Sequence, residues 1–297
     1  MKALILGGKG QLGTTLTQMV PSSIACRSLD LPEIDVTDAK AVEAVVGDEK
    51  PDVIINASAY TAVDRAEEEV DLAFAVNAAG PKNIARAAKQ TGSRLIHVST
   101  DYVFDGTACT PYLPEAPCSP LGVYGESKRQ GEINVLDAVD DPVIIRTSWL
   151  YSQYGNNFVL TMLRLMKERD EIKVVADQVG SPTWATTLAK AIWKIVIKTD
   201  LKGIFHWADA GVASWYDFAV AITEEALACD LIGKPIPIHP ITTAEYPTLT
   251  TRPAYSVLNC TASWREIGVR PVQWRVALRH MLETIEGSNQ GDMNTGK

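Results

Sequence analysis

The sequence predicts an α/β fold: a doubly wound parallel sheet followed by a smaller C-terminal α/β substrate domain. In the first half of the 297-residue chain, short apolar runs alternate with helix-length segments. Each run is apolar on both faces, as expected for strands that are covered by helices on both sides. A glycine-rich turn, Gly7 to Gly13, directly follows the first run. A turn at this place is typical of Rossmann domains, which bind dinucleotides.

The apolar runs and the segments between them define the individual elements. We predict strands over Ala3–Leu6, Ile24–Cys26, Val53–Ile55, Leu95–Val98 and Val143–Ile145. Helices are predicted over Gln11–Met19, Ala39–Val46, Val70–Gln90, Tyr124–Ala138, Phe158–Glu168, Thr183–Lys198, Trp215–Cys229 and Val272–Ile285. Pro81 lies inside the third helix, and we expect a break there because proline cannot continue a regular helix. The segment Pro235–Pro253, with five prolines, is predicted to be an extended loop.

A change in composition near residue 149 suggests the domain boundary. We assign residues 1–148 to the Rossmann domain and residues 149–285 mainly to the substrate domain, although later segments could cross back to the sheet. Residues 286–297 are small and polar, and they are predicted to form a flexible tail.

Composition argues against several classes of protein. A net charge of −8 does not attract nucleic acid or an anionic membrane, so we expect neither as a partner. The five cysteines are odd in number and lack CxxC spacing, and the four histidines are scattered, so no metal site is predicted. No signal segment or membrane span is apparent. Reduced thiols fit a cytoplasmic location.

The glycine turn has the spacing GxxGxxG and opens the first helix. Gly7 permits a tight turn, Gly10 lets backbone amides approach a pyrophosphate, and Gly13 allows the helix to pack closely on the strand. The helix N-terminus then offers free N–H groups to the anion. These features predict a bound dinucleotide.

The end of the second strand bears on which dinucleotide binds. An acid at this position usually binds the ribose 2′-hydroxyl of NAD, whereas Arg27 and Ser28 stand here. Arginine can pair with a 2′-phosphate, so we predict NADPH. Arg27 could instead be a solvated surface charge. Asp30 or Glu33 could still serve NADH, which leaves NADH use open.

Two further segments are expected at the cofactor. Asp35 and Val36 are predicted to line the adenine edge. The third strand ends in small residues that could let the backbone pass close to the cofactor ribose, around Ala59, Tyr60 and Thr61. A tightly packed strand end would have the same composition.

Tyr124 and Lys128 have the spacing YxxxK, which places both side chains on one face of a helix. A tyrosine can deliver a proton to a carbonyl oxygen as hydride reaches the carbon, and a nearby ammonium should lower its pKa. Thr100 lies at the end of the fourth strand, where ligands bind in such sheets, and could polarise that carbonyl. Ser99 is the alternative candidate for this role. Either residue could instead cap a helix or turn, which would be a purely structural role.

Seven segments, taken together, resemble a known family. GGKGQLG, PDVIINASAYTAVDRAE, HVSTDYVFDG, YGESK, RTSWLY, GNNF and TRPAYSVLN follow in the order found in dTDP-4-dehydrorhamnose reductases, within the extended short-chain dehydrogenase/reductase superfamily. The resemblance implies NADPH or NADH as hydride donor and a dTDP-sugar substrate. The reaction implied is reduction of the C4 ketone of dTDP-4-dehydro-β-L-rhamnose to dTDP-L-rhamnose.

The resemblance also implies roles for individual residues. Tyr124 would be the proton donor, Lys128 its helper and Thr100 the group that polarises the ketone. The substrate would further contact Asp101, Val103 and Trp149. By resemblance, the cofactor would be held by Gly10, Gln11, Leu12, Asp35, Val36, Ala59, Tyr60 and Thr61, together with Tyr124 and Lys128. The residues themselves add Gly7, Gly13, Arg27 and Ser28, and Arg27 departs from the acid that some members carry at its position.

The chain departs from the family where some members use glutamates to bridge a dimer through Mg²⁺. Thr15 and Thr186 stand at the corresponding positions, and hydroxyls replace carboxylates poorly around this ion. We therefore expect no Mg-bridged homodimer. Two alternatives stay open: a reductase or epimerase acting on another nucleotide-ketosugar, and a non-catalytic regulatory subunit.

Overall fold

The computed structural model describes the backbone of residues 1–294 and the side chains of residues 1–286. The strands are β1 (Lys2–Leu6), β2 (Ala25–Leu29), β3 (Val53–Asn56), β4 (Arg94–Thr100), β5 (Val143–Thr147), β6 (Leu150–Tyr151), β7 (Ile172–Val175), β8 (Val179–Gly180), β9 (Thr183–Trp184), β10 (Gly203–Trp207), β11 (Ala213–Ser214) and β12 (Ile238–Ile241). The helices are α1 (Gln11–Gln18), α2 (Ala39–Glu49), α3 (Val63–Ala66), α4 (Val70–Phe74), α5 (Gly80–Thr91), α6 (Val123–Ala138), α7 (Phe158–Glu168), α8 (Ala185–Ile197), α9 (Trp215–Ala228), α10 (Thr261–Ile267) and α11 (Trp274–Asn294). A π-helical segment spans Ala75–Ala79, and 3₁₀ turns span Asp101–Val103 and Thr243–Glu245.

The main sheet has six strands in the order β10-β5-β4-β3-β1-β2. Every neighbouring pair in it is parallel, which confirms the doubly wound parallel sheet. From β1 the chain runs outward to β2 and then returns to β3 on the other side. Ligands bind in such sheets beyond the carboxyl ends of the strands at this point of reversal.

Both faces of the sheet are covered because alternate residues of each strand point to opposite sides. Leu4 and Ile54 pack with α2, α5 and α6, and the cluster includes Ile84. Ile5 and Ile55 face the other way and pack with α1 and α8. This arrangement explains why the strands are apolar throughout.

The predicted break near Pro81 takes the form of the π-helical segment Ala75–Ala79, which lies between α4 and α5. Pro81 is the second residue of α5, which continues directly from this segment, so its missing N–H leaves one helical hydrogen bond unmade next to the widened turn. The segment carries Asn77, which is fully buried. A single predicted helix is thus three consecutive segments.

The C-terminal half combines a smaller unit with elements that return to the main sheet. Strand β10 pairs with β5, and α8 packs on the sheet, so residues 185–207 cross back as the sequence allowed. The smaller unit has its own apolar core, in which Phe218, Tyr151 and Leu278 are fully buried. Short strand pairs, β7 with β12, β8 with β11 and β6 with β9, surround this core.

Two details differ from the expectations for the C-terminal half. The proline-rich segment is not wholly a loop, because β12 pairs in parallel with β7 and Pro240 lies opposite Val174. Helix α11 continues to Asn294, over most of the segment predicted as a tail, and residues 295–297 lie outside the described chain. No helix in the described part of the chain has the length and apolarity that a bilayer span requires.

Candidate active site

The glycine turn forms a tight loop between β1 and α1. Gly7 has φ +86°, and an added Cβ there would lie 2.5 Å from the Ser58 backbone nitrogen. A Cβ on Gly13 would lie 2.0 Å from the Gly7 carbonyl oxygen. Both glycines are therefore required by close backbone packing. At Gly10, by contrast, an added Cβ would meet only the Gly7 carbonyl oxygen, at 3.4 Å.

Helix α1 begins at Gly10 without a side-chain cap, so its first backbone N–H groups are available to an anion. A cavity of about 330 Å³ opens beside this helix end. It is lined by Gly7, Gly10, Asp30, Leu31, Ile34, Asp35, Val36, Ala57, Ser58, Ala59, Tyr60, Leu72 and Val76. An anion-binding helix end beside an apolar slot fits the pyrophosphate and adenosine parts of a dinucleotide.

The cavity brings together six of the predicted cofactor residues: Gly7, Gly10, Asp35, Val36, Ala59 and Tyr60. The side chain of Leu12 is buried in the core instead. Gln11 directs its side chain to the loop after β6, where its Oε1 accepts hydrogen bonds from Ser152 and Asn157. Gln11 and Leu12 can therefore offer the cofactor only backbone groups, and Thr61 is exposed outside the lining.

The structure contradicts the prediction for Arg27. Its guanidinium pairs with Glu49, the last residue of α2, and Glu49 also pairs with Lys2 at the start of β1. These residues mark the amino edge of the sheet, opposite the edge that binds ligands. The sequence could not show in which direction along the strand this long side chain extends. Ser28, which was predicted with it, does lie at the ligand edge, beside Gly8.

Tyr124, Lys128 and Thr100 converge where β4 ends. Gly125 lets α6 approach this edge, because a Cβ there would lie 2.3 Å from the Tyr102 carbonyl oxygen. Tyr124 is 9% exposed, and the nearby Thr100 hydroxyl lowers the pKa of its phenol. Lys128 is buried, and its Nζ donates to the Val98 carbonyl oxygen over 2.7 Å. The proposed proton donor and the carbonyl-polarising hydroxyl thus lie near each other.

Burial controls the titration of this pair. It raises the pKa of Tyr124 to about 12, and the Thr100 hydroxyl offsets only part of that rise. Burial also lowers the pKa of Lys128 to about 8. Burial therefore outweighs the lowering of the phenol pKa that was expected from Lys128. At neutral pH the phenol keeps its proton, which is the form that a proton donor needs.

Asn77 connects the cofactor cavity to the catalytic helix. Its Oδ1 accepts from the Tyr60 backbone N–H over 2.9 Å, and its Nδ2 donates to Ser127 Oγ over 3.1 Å. Gly131 allows the close approach, because a Cβ there would lie 2.1 Å from the Asn77 carbonyl oxygen. Tyr60, which lines the cavity, also packs in the cluster that contains Tyr124. The cavity and the Tyr–Lys pair are therefore parts of one site.

The predicted substrate residues are in different environments. Asp101 is buried beside Thr100, whose hydroxyl donates to it over 3.1 Å, and burial raises the pKa of Asp101 to about 6. Val103 is fully buried with Phe104 and Leu258, so the structure contradicts its assignment to the substrate. The 3₁₀ turn after Thr100 directs this side chain into the core.

Trp149 remains partly exposed and stacks on Trp215, with ring centroids 3.6 Å apart. The indole lies against Gly180, where an added Cβ would be 2.5 Å from the ring. Trp149 therefore packs on the core of the smaller unit, while its exposed part leaves it available to a ligand.

Sequence reasoning did not assign several residues that the structure places at the site. Asp30 lines the cavity at the end of β2, and it had been considered only as an alternative for NADH. Asn77 was missed, although a lone amide within an apolar helical segment is a signal of a buried polar contact. Leu72 and Val76 were missed because their helical pattern indicated only packing against the sheet.

A parallel sheet with a glycine-lined dinucleotide cradle, and a Tyr–Lys pair with a hydroxyl at its mouth, defines a short-chain dehydrogenase/reductase. Residues 1–286 match the family described as the RmlD substrate binding domain. The chain is 43% identical to a dTDP-4-dehydrorhamnose reductase of Aggregatibacter actinomycetemcomitans, over 96% of this chain and 99% of that protein. It belongs to the dTDP-4-dehydrorhamnose reductase family, which confirms the resemblance seen in the sequence.

Two solved structures agree with this assignment. A dTDP-4-dehydrorhamnose reductase from Clostridium acetobutylicum superposes with a TM-score of 0.91 at 39% identity, covering 96% of this chain and all of that one (100%). The enzyme of the same name from Bacillus anthracis, in complex with NADP, gives a TM-score of 0.89 at 38% identity, covering 94% and 98% of the two chains.

Proposed function

We propose that this protein reduces the C4 ketone of dTDP-4-dehydro-β-L-rhamnose with NADPH, giving dTDP-L-rhamnose. The observation that carries the proposal is the buried Tyr124–Lys128 pair, which lies at the end of β4 with Thr100 and beside a cradle for a dinucleotide. The family relationship supplies the sugar and the nucleotide: relatives at 43% and 40% identity are named dTDP-4-dehydrorhamnose reductase and match over nearly their full length.

The cradle fits the proposed cofactor. Bound NADPH would supply the hydride for the ketone carbon. The first amides of α1 would hold its pyrophosphate, since the N-cap residue of that helix, Gly10, has no side chain to cap them. The apolar walls of the cavity, among them Ile34, Val36 and Val76, would exclude water from the adenine ring.

The chain's own residues move the proton. Tyr124 enters the reaction as a neutral phenol, because its pKa is raised to about 12, and gives its proton to the ketone oxygen. The Thr100 hydroxyl, which donates to Asp101 in the free protein, would turn to donate to the same ketone oxygen when the substrate is bound. Lys128, one helical turn further, is mostly protonated at neutral pH with a pKa of about 8, and it would stabilise the phenolate that remains.

Asp101 and Trp149 are the two residues proposed to lie at the substrate. Asp101 accepts a hydrogen bond from Thr100 and so helps to fix its hydroxyl. The exposed part of the Trp149 indole offers an apolar surface to the 6-methyl group of the deoxysugar. We also propose a cytoplasmic location, where the five free thiols would stay reduced.

Replacing Tyr124 with phenylalanine tests the proton-donor role. Tyr124→Phe should lower kcat by about 10²–10⁴-fold, because a general acid is lost, while NADPH affinity stays unchanged. Tyr102→Phe is the matched control, since Tyr102 packs edge-on against Tyr124 at 5.4 Å but has no assigned role. Wild-type turnover by Tyr124→Phe would refute the mechanism.

A substrate panel tests the rest of the proposal. NADPH oxidation and sugar products should be followed with dTDP-, GDP- and UDP-linked 4-ketosugars. We expect dTDP-4-dehydrorhamnose to be reduced with a higher kcat/KM than any other sugar in the panel. Preference for another ketosugar would favour a related reductase, and a change of configuration without NADPH oxidation would indicate an epimerase.

A further inference from the structure

An ion pair is buried next to the catalytic residues. Glu132 lies on α6, one helical turn after Lys128, and Arg146 lies on β5, paired with Ser99 in the sheet register. Arg146 Nε donates to Glu132 Oε1 and Arg146 Nη2 donates to Glu132 Oε2, each over 2.8 Å. Arg129 Nη1 adds a third hydrogen bond, to Glu132 Oε2 over 2.7 Å. Because Glu132 is 0% exposed, its carboxylate is fixed in one orientation and shielded from solvent.

Arg146 is itself held in place by several contacts. Its Nη1 donates to the Pro114 carbonyl oxygen over 3.0 Å, and its Nη2 lies 3.3 Å from Cys118 Sγ. Its guanidinium lies over the Phe104 ring, 5.2 Å from the centroid. Burial alone would raise the pKa of Glu132, but Arg146 holds that pKa below its ordinary value. The Glu132 carboxylate is therefore charged at neutral pH.

Stability alone does not explain a buried ion pair. Apolar residues of similar volume often stabilise a core as well or better, because burying two charges costs desolvation energy. What an apolar pair cannot supply is a negative charge beside Lys128, since residues four apart on a helix are neighbours on one face. Burial lowers the pKa of Lys128 to about 8, and the charge of Glu132 opposes that fall. Without the carboxylate, the same burial would lower the pKa further, into the neutral range.

The other titratable groups around Lys128 differ from Glu132 in what they act on. His97 of β4 is fully buried, and burial together with the charge of Lys128 keeps the pKa of His97 well below its ordinary value, so the imidazole is neutral. The charge of Asp101 acts on Tyr124, adding to the effect of burial on the pKa of that phenol. The charged side chains of the helices that pack on α6 are exposed or paired with other residues: Asp64, Arg65, Asp71, Lys82, Arg86 and Lys89.

We propose that Glu132, held by Arg146, is a positioning residue that keeps the buried Lys128 side chain protonated beside Tyr124. The ammonium then stabilises the phenolate that Tyr124 becomes when it gives up its proton. Glu132 acts through Lys128 and not on the sugar, and Arg146 acts by fixing the carboxylate. This inference rests on the proposed reduction, in which Lys128 has that role.

NMR of the chain with lysine labelled by ¹³C at Cε measures the protonation of Lys128 directly, without sugar or dinucleotide. The Lys128 signal is identified by its loss in Lys128→Arg, and in the wild type it should titrate near pH 8. Glu132→Gln keeps the shape of the side chain and removes its charge. The midpoint should then fall by about one to two pH units, as expected for a charge at about 5–6 Å in a partly polar interior.

Two further variants make the result decisive. Glu225→Gln is the matched control, because Glu225 is 3% exposed and pairs with two arginines in the smaller unit; the Lys128 midpoint should keep its wild-type value. Since Glu132→Gln leaves Arg146 unpaired in the core, the double variant Glu132→Gln with Arg146→Met removes both charges, and its midpoint should also lie below that of the wild type. An unchanged midpoint in either folded variant would overturn the proposal.

Turnover provides a second readout. The alkaline limb of the kcat profile should move to lower pH together with the Lys128 midpoint, while the KM for the sugar stays unchanged. A role in folding alone would lower activity equally at every pH and leave the Lys128 midpoint in place, and that result would also overturn the proposal. Because the NMR titration contains no sugar, failure to reduce any ketosugar would refute the proposed function and leave the effect of Glu132 on Lys128 standing.

Discussion

Gly10 allows the cofactor cradle to be tested separately from folding. Its φ of −69° and ψ of 167° lie in the extended region that any residue adopts, and an added Cβ would meet only the Gly7 carbonyl oxygen at 3.4 Å. Gly10→Ala should therefore fold with nearly unchanged stability. Its methyl group, however, would occupy the space in front of the first amides of α1.

The loss of binding can be approximated from the contacts that the methyl group displaces. A hydrogen bond from a backbone amide to a charged phosphate contributes roughly 1.5–3 kcal/mol. Displacing one such bond should raise the dissociation constant of NADPH by about 10- to 150-fold. Isothermal titration measures this change, and thermal unfolding verifies the fold.

Two other glycines provide the controls. Gly13→Ala places its Cβ 2.0 Å from the Gly7 carbonyl oxygen, so it should lose roughly 1–3 kcal/mol of stability as well as binding. Gly47→Ala, in the last turn of α2 with nothing within 4 Å of the new Cβ, should gain up to about 1 kcal/mol and bind NADPH normally. If Gly10→Ala bound NADPH as tightly as the wild type, the pyrophosphate would not lie at this helix end.

Three further predictions concern Val103, Asp101 and metal dependence. Val103→Ala should reduce the free energy of unfolding by roughly 2–3 kcal/mol, because it leaves a cavity in the core, and the KM for the sugar should not change. A raised KM without loss of stability would show that Val103 contacts the substrate. Because burial raises the pKa of Asp101 from 3.8 to about 6, wild-type stability should fall, relative to Asp101→Asn, by on the order of 3 kcal/mol as pH rises from about 3 to about 7. Parallel pH profiles in urea unfolding would contradict this. Thr15 is buried and its hydroxyl donates to the Gln11 carbonyl oxygen, so it is a poor ligand for Mg²⁺. Removing metal ions with EDTA should therefore change neither turnover nor oligomeric state. A loss of activity that Mg²⁺ reverses would refute this expectation.

The sequence was most informative where one physical requirement determines a residue. Gly7 and Gly13 could be assigned because backbone contacts leave no space for a side chain at either position. The strands of the sheet were predictable because residues such as Ile5 and Ile54 are buried on opposite faces. Tyr124 and Lys128 could be paired because four residues along a helix separate neighbours on one face.

The errors arose where side-chain direction depends on packing that the sequence does not show. Arg27 lies on an edge strand, and its guanidinium extends to Glu49 because that carboxylate lies at the end of the neighbouring helix. Val103 shares a motif with Thr100 and Asp101, but the turn between them directs it into the core. The proline-rich segment could form β12 because Pro240 lies in a short two-stranded sheet, where a missing donor is tolerated.

The widened helical turn at Ala75–Ala79 has a consequence for how the chain can vary in length. A π-helical turn contains one residue more than an α-helical turn, so deleting one residue within Ala75–Ala79 lets the stretch become a regular α-helix without rotating α5. Ile84 would keep its place against the sheet, whereas Asn77 would shift and lose its amide contacts. A single-residue deletion here should therefore damage the site more than the fold, even though the stretch has no conspicuous motif.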